Sequence, residues 1–340
     1  MARRLNRLLA GALGALIVAG SLAGCSTSSD SANGGAADGK NPEWKDLTFT
    51  VGEQSDGIVS LIKESGAFKD ASYKINFAKF EYGPPLVAAA ANGDIDLGMV
   101  GAVPPITAAA KNLDFKIIAQ QAPYDATKGL EGIIVPKDST LQTAADLKGK
   151  RIAVPQGSSA HGLVLSTLKS VGLTPKDVEL VYLPPKEGAS AFDSGKVDAW
   201  SIWDPLQEFA VQKGARVLVP GVPPLDYGNL FYVGSGKTLK DPVRRAALAD
   251  VLTRISKAYA FGNANKDAHI KAIAKDSGIT EEQAAKTIEG WRYRLKWVSP
   301  ETIAGEQTLA DNFFEVGEIP QKVDVTSTVD NILPNGYDVG

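Results

Sequence analysis

Ser158, Ser159 and His161 stand within four residues in VPQGSSAHGLVLSTLKSVGL (154–173), behind Gly157 and ahead of an apolar-periodic run. Two chemistries fit that spacing. A serine beside a histidine is the start of a nucleophile and its general base. A glycine and serines opening a helix equally make the mouth of an anion pocket. The first helical turn offers free N–H groups and the positive end of the macrodipole, and the hydroxyls add donors. The hydrolase reading also needs a carboxylate to orient the histidine, and an oxyanion hole. The chain has no G-x-S-x-G, and its other histidine, His269, lies in a polar helical stretch. With one cysteine and two scattered histidines, no metal or cofactor site is visible. The anion reading is the stronger one.

Other loops carry matching chemistry. Gln54 and Ser55 in EQSDG (53–57) offer an amide donor and a hydroxyl, while Pro84, Gly101 and Ala102 fall in EYGPP and GAVPP. In DAWSIWDP (198–205) an extended chain puts Trp200 and Trp203 on opposite faces. Trp200 is then core, and Trp203 faces a ligand beside Asp204. Asp204-Pro205 also reads as an N-cap followed by proline at the first helical position. His161 either donates to an anion or packs behind its loop.

The elements that must hold these loops come in two copies. FEYGPPLVAAAANGDIDLGMVGAVPP (80–105) lines up with YLPPKEGASAFDSGKVDAWSIWDPLQ (182–207) at an offset of 102, matching Asp96 to Asp198 and Gly93 to Gly195. Each copy follows a strand, a polar loop and a helix. Ile58, Leu61 and Ile62 in one helix, and Val164, Leu168 and Val171 in the other, mark a buried face. Such alternation predicts an α/β fold with parallel-rich sheets and helices on both faces. LEGIIVPKDS (130–139) and GNLFYVGSGK (228–237) read as strands crossing between lobes. Residues 46–132 and 229–340 would then form lobe one and 133–228 lobe two. Leu248, Val251, Leu252, Ile255 and Tyr259 predict a long helix. Ligands in such sheets sit beyond the carboxyl ends of strands. There EQSDG, EYGPP, GAVPP, QGSSAHG, YLPPKEG and WDPL should converge on a cleft between lobes with two hinge crossovers.

The N-terminus gives an address. Arg3, Arg4 and Arg7 precede an apolar run of about 15 residues, short of the roughly 20 a spanning helix needs. The run ends in Leu22-Ala23-Gly24-Cys25 and a Ser/Gly/Asn/Asp-rich stretch. This resembles the lipobox of bacterial lipoproteins, with residues 1–24 as signal peptide, Cys25 lipidated, and 25–45 as a flexible tether. Cys25 is the sole cysteine, so no internal disulfide forms. The chain's formal charge is -3, and without the three signal arginines it is near -6. No basic cluster remains for nucleic acid. Its composition, 44% apolar, suits two ordinary domains.

NGDIDLG, GAVPPI, ADLKGKRIAVPQGSSAH, YLPPKEGASAF and GKVDAWSIWDP together resemble the substrate-binding proteins of bacterial ABC importers for organosulfonates. These lie within the wider nitrate, sulfonate, taurine and bicarbonate group. The resemblance implies a type II periplasmic binding fold and no enzymatic activity. It implies an extracytoplasmic monomer, held to the membrane through lipid only. It would deliver an organosulfonate to a permease with its ATPase. The implied binding residues are Gln54, Ser55, Pro84, Gly101, Ala102, Gly157, Ser158, Ser159, His161, Trp203 and Asp204. Two alternatives stay open: the same receptor for nitrate, bicarbonate or an aromatic carboxylate, or an enzyme akin to pyrimidine-precursor synthases. Because Met99, Val100 and Ala102 are apolar, the expected ligand is an alkyl or aryl sulfonate in preference to taurine or bare sulfate.

Overall fold

The computed structural model describes residues 41–339 apart from 55, 56 and 289. Cys25, the signal segment and Ser55 lie outside the described residues. In chain order the first strands are β1 (Thr48–Glu53), β2 (Lys74–Lys79), β3 (Leu97–Gly101), β4 (Phe115–Pro123), β5 (Glu131–Val135) and β6 (Arg151–Val154). Then come β7 (Glu179–Tyr182), β8 (Ala199–Trp203), β9 (Arg216–Pro220), β10 (Leu230–Ser235), β11 (Tyr293–Lys296) and β12 (Asp338–Val339).

They form two sheets, ordered β12-β11-β4-β10-β3-β1-β2 and β7-β6-β8-β5-β9. The repeat is visible in these orders. β1 lies between β2 and β3, parallel to both, and β6 stands likewise between β7 and β8. The next place in each sheet is taken by a strand running the other way. β5 lies antiparallel between β8 and β9, and β10 antiparallel between β3 and β4. β5 follows β4 in sequence but pairs in the second sheet; β10 follows β9 but pairs in the first. The chain thus passes between the sheets at 124–130 and again at 221–229.

The matched residues explain the repeat locally. Asp96 Oδ2 accepts the N–H of Thr50, and Asp198 Oδ2 that of Arg151, each at 2.8 Å. Their own N–H groups return to the carbonyls of Thr50 and Arg151. Both aspartates therefore lock the third strand of a unit onto its first. Gly93 ends the Gly83–Asn92 helix at φ 80°, a left-handed turn that costs glycine least.

Each sheet is covered by apolar helix faces. β5 is buried at all five positions, as a central strand enclosed on both faces should be. Val164 and Leu168 pack on Ile152 and Val154, while Val171 falls at the helix end and is half-buried. On the first sheet, Leu248, Val251, Leu252, Ile255 and Tyr259 of the Pro242–Ala264 helix join Phe49, Leu61 and Leu97. Val103, Leu165 and Phe313 form a further core between the Val103–Ala109, Ser159–Ser170 and Pro300–Glu315 helices. Among the described residues, no helix is long and apolar enough to cross a membrane.

Candidate functional site

A cavity of about 180 Å³ lies where the carboxyl ends of β1, β3 and β8 meet the start of the Ser159–Ser170 helix. Five of the six quoted loops reach it, through Gln54, Gly83, Gly101, Pro104, Ser158, Ser159, Trp203 and Asp204. YLPPKEG contributes nothing to the lining. It meets the opposite loop instead, where the Lys186 N–H donates to Glu81 Oε1 at 3.4 Å.

Gly101 and Ser159 meet closely across the cleft. A Cβ on Gly101 would lie 2.9 Å from Ser159 Cβ, closer than packed carbons allow. Ala102, its neighbour, is absent from the central cavity. Side chains alternate along the β3 exit, so Met99 and Gly101 face the cavity while Val100 and Ala102 enter the core with Ile117. Pro84 and Gly157 also miss the lining. They approach one another at the loop contact, Pro84 Cγ lying 3.6 Å from a Cβ placed on Gly157.

Ser158 caps its helix. Its Oγ accepts the His161 N–H at 3.3 Å and donates to the Pro155 carbonyl at 2.7 Å. The Ser159 hydroxyl donates to Glu131 Oε2 at 2.6 Å. His161 is placed behind the loop, 1% exposed and outside the cavity lining. Its Nδ1 accepts the Gly157 N–H at 3.3 Å, and the ring packs edge-on against Tyr182 and Phe313. Burial pulls its pKa down to about 4, so the ring is neutral. Its proton is then on Nε2, which faces Tyr182 Oη at 3.5 Å. Neither serine is paired with the imidazole, so this loop holds no nucleophile and base. His161 scaffolds it.

Trp203 lines the cavity and Trp200 packs on Phe192 in the core, as strand alternation requires. Asp204 is only 8% exposed. The helix after it begins at Leu206, one residue later than a cap at Asp204 would give. Its Oδ1 nevertheless accepts the Glu208 N–H at 3.1 Å. Burial, with the Glu208 charge nearby, pushes its pKa up to about 7 against the pull of that N–H. Gln54 spends one amide hydrogen on the Met99 carbonyl at 2.7 Å.

The sequence reading missed Glu131, Asp226 and Trp291, all of which line the cavity. Glu131 opens β5 and is 6% exposed. Burial pushes its carboxyl well above the usual range, the adjacent Asp226 charge adds to this, and the Ser159 hydroxyl opposes it. Asp226 is raised by burial and eased by the Gly228 N–H at 2.9 Å. Trp291, 8% exposed, has an Nε1–H that meets no acceptor among the described residues. A carboxylate at the head of an otherwise apolar strand was the one signal in the sequence for Glu131. Asp226 and Trp291 offered none, because each comes from a segment outside the repeat.

The profile of the family described as NMT1/THI5 like matches residues 61–283. A protein of Escherichia coli K12 named for aliphatic sulfonate binding is 32% identical over 287 residues, covering 82% of this chain and 87% of that one. One of the same name from Bacillus subtilis 168 is 31% identical over 315 residues, 91% of each chain. Among solved structures, the alkanesulfonate-binding protein SsuA from Xanthomonas axonopodis pv. citri bound to MOPS superposes with a TM-score of 0.76 at 31% identity, covering 84% of this chain and 98% of that one.

Proposed function

We propose that this chain, which belongs to the NMT1/THI5-like family, is the extracytoplasmic receptor of an ABC importer and captures an organosulfonate in the cavity between its sheets. The observation that carries the reading is the start of the Ser159–Ser170 helix facing that cavity, in a chain similar over most of its length to proteins named for sulfonate binding. A sulfonate is fully ionised and only accepts hydrogen bonds. The first-turn N–H groups and the helix dipole suit it without a cationic side chain. Met99, Leu130, Leu230 and Trp203 supply apolar wall for the carbon chain.

The two sheets with their associated helices act as two lobes, divided close to 46–132 with 229–340 and 133–228, with Glu131 and Gly132 of β5 going to the second sheet. The passages at 124–130 and 221–229 serve as hinges, and closure presents the ligand to the permease. Cys25 carries the lipid that keeps the receptor at the membrane; loss of anchoring in Cys25→Ser would support this, and normal anchoring would oppose it. Thermal-shift screening of the purified protein against alkanesulfonates, carboxylates, nitrate and bicarbonate tests the receptor reading. Stabilisation by sulfonates supports it; stabilisation by inorganic anions or carboxylates alone overturns it.

A further inference from the structure

A second cavity, of about 470 Å³, lies between the Ser159–Ser170 helix, the Pro300–Glu315 helix and the 221–229 passage. That volume suits a small organic molecule. Ala102, which turns away from the central cavity, lines this one together with Pro224, Leu225 and Leu309. Glu306, Leu309 and Asn312 follow one another at a spacing of three and share one face of the Pro300–Glu315 helix. Glu306 is 6% exposed and Asn312 5%, yet neither side chain has a hydrogen-bond or ion-pair partner among the described residues. Neither has its polar atoms sealed off inside the protein, so the little exposure they keep opens on the cavity. Polar side chains buried to this degree rarely go unpaired outside a site of use. Gly305 lines the same wall from inside the helix, where glycine is disfavoured. A Cβ on it would meet nothing within 4 Å, so close packing does not demand the glycine, and its missing side chain leaves room at the cavity.

We propose that this second cavity binds a small apolar monoamine, its ammonium held by Glu306 and Asp226 with the Asn312 side-chain carbonyl as a further acceptor, and its hydrocarbon part against Leu225 and Leu309. Burial, and then the charge of Asp226, push the Glu306 carboxyl up to about 8. A cation beside both acids answers the Asp226 charge and lets Glu306 ionise. Lys169, the basic residue on this wall, does not serve, because its Nζ is paired with Glu315 at 3.2 Å. The same acids disfavour an anion, so a sulfonate is not the occupant. The site is separate from the one proposed for the sulfonate and does not depend on it. Its walls come from a helix on the second sheet, from the Pro300–Glu315 helix and from a passage between the sheets, so a bound amine ties the three together.

Calorimetry with 2-phenylethylamine and 2-phenylethanol, matched in shape, tests this on the purified protein at pH 7. We expect one amine bound per chain, about tenfold more tightly than the alcohol. Glu306→Gln, which keeps the size of the side chain, and Gly305→Leu, which fills the space beside it, should each weaken the amine about fivefold or more. Thermal unfolding of both variants checks that they are folded, and Glu306→Gln alone decides the matter if Gly305→Leu is not. No saturable binding of the amine at millimolar concentration overturns the proposal. Binding of the alcohol as tightly as the amine overturns the cation site. Amine affinity unchanged in a folded variant places the amine elsewhere and overturns it too. None of these outcomes involves a sulfonate, so the receptor reading stands or falls separately.

Discussion

Gly101 and Ser159 touch across the cleft so closely that a single methyl group on Gly101 would overlap the serine side chain. The contact joins the end of β3 in one sheet to the first turn of a helix on the other. Gly101→Ala should therefore prop the loops apart and weaken ligand binding about tenfold, near 1.4 kcal/mol, in keeping with overpacking costs of roughly 1–3 kcal/mol. Calorimetry on the variant checks this; unchanged affinity would mean that the loops yield without cost.

Ser158 and Ser159 are adjacent yet should fail differently. Ser158→Ala removes a cap and should lower unfolding free energy by about 1 kcal/mol, measured by denaturant titration. Ser159→Ala strands the buried Glu131 Oε2, so it should cost about 1–3 kcal/mol of stability and also lower ligand affinity by about 1–2 kcal/mol. Equal losses of ligand affinity in the two variants would contradict this division.

Trp291 has a buried N–H that meets no acceptor among the described residues, so Trp291→Phe gives up no hydrogen bond seen among them. Unfolding free energy should change by less than about 1 kcal/mol, while ligand affinity falls by about 1–3 kcal/mol through loss of a donor to a charged group. Stability lost with affinity kept would show that the indole serves only as packing.

Glu306 gives a pH signature. Burial, and then the Asp226 charge, push its pKa from 4.5 up to about 8. The folded state binds the proton more tightly than the unfolded chain, so stability is full below pH 4.5 and is lost as pH rises through 8. Glu306→Gln keeps the neutral shape at every pH. Its stability relative to the unaltered protein should be flat below pH 4.5 and grow by about 4–5 kcal/mol by pH 9. His161 and His269, both held neutral by burial, weaken the fold as pH falls from 6.5 toward 4, and they cancel in this comparison. A difference that does not vary with pH would refute the assignment.

The repeat was legible because a short local pattern recurs at one offset, although its aspartates, Asp96 and Asp198, each tie the third strand of a unit to the first across 46 or 47 residues. The apolar faces of the helices followed from periodicity for the same reason. The two reversed strands were harder to place. Nothing local in LEGIIV says which sheet it joins, and that choice is what turns Glu131 inward. His161 sits one turn into a helix with its imidazole toward Phe313, a residue 152 positions away that local spacing does not reveal. Asp226 and Trp291 reach the cavity only through the path of the chain between and after the sheets. The loops of the repeat, with Asp204, were therefore readable, and Glu131, Asp226 and Trp291 were not.

Capture of an organosulfonate in the cavity can be read directly by isothermal titration of the purified protein. A panel of propanesulfonate, 3-aminopropanesulfonate, nitrate, bicarbonate and benzoate separates the readings. One sulfonate should bind per chain, at a dissociation constant of about 10 μM or below, roughly -7 kcal/mol or stronger. Saturable binding of nitrate, bicarbonate or benzoate, with no heat from either sulfonate at millimolar concentration, would contradict it.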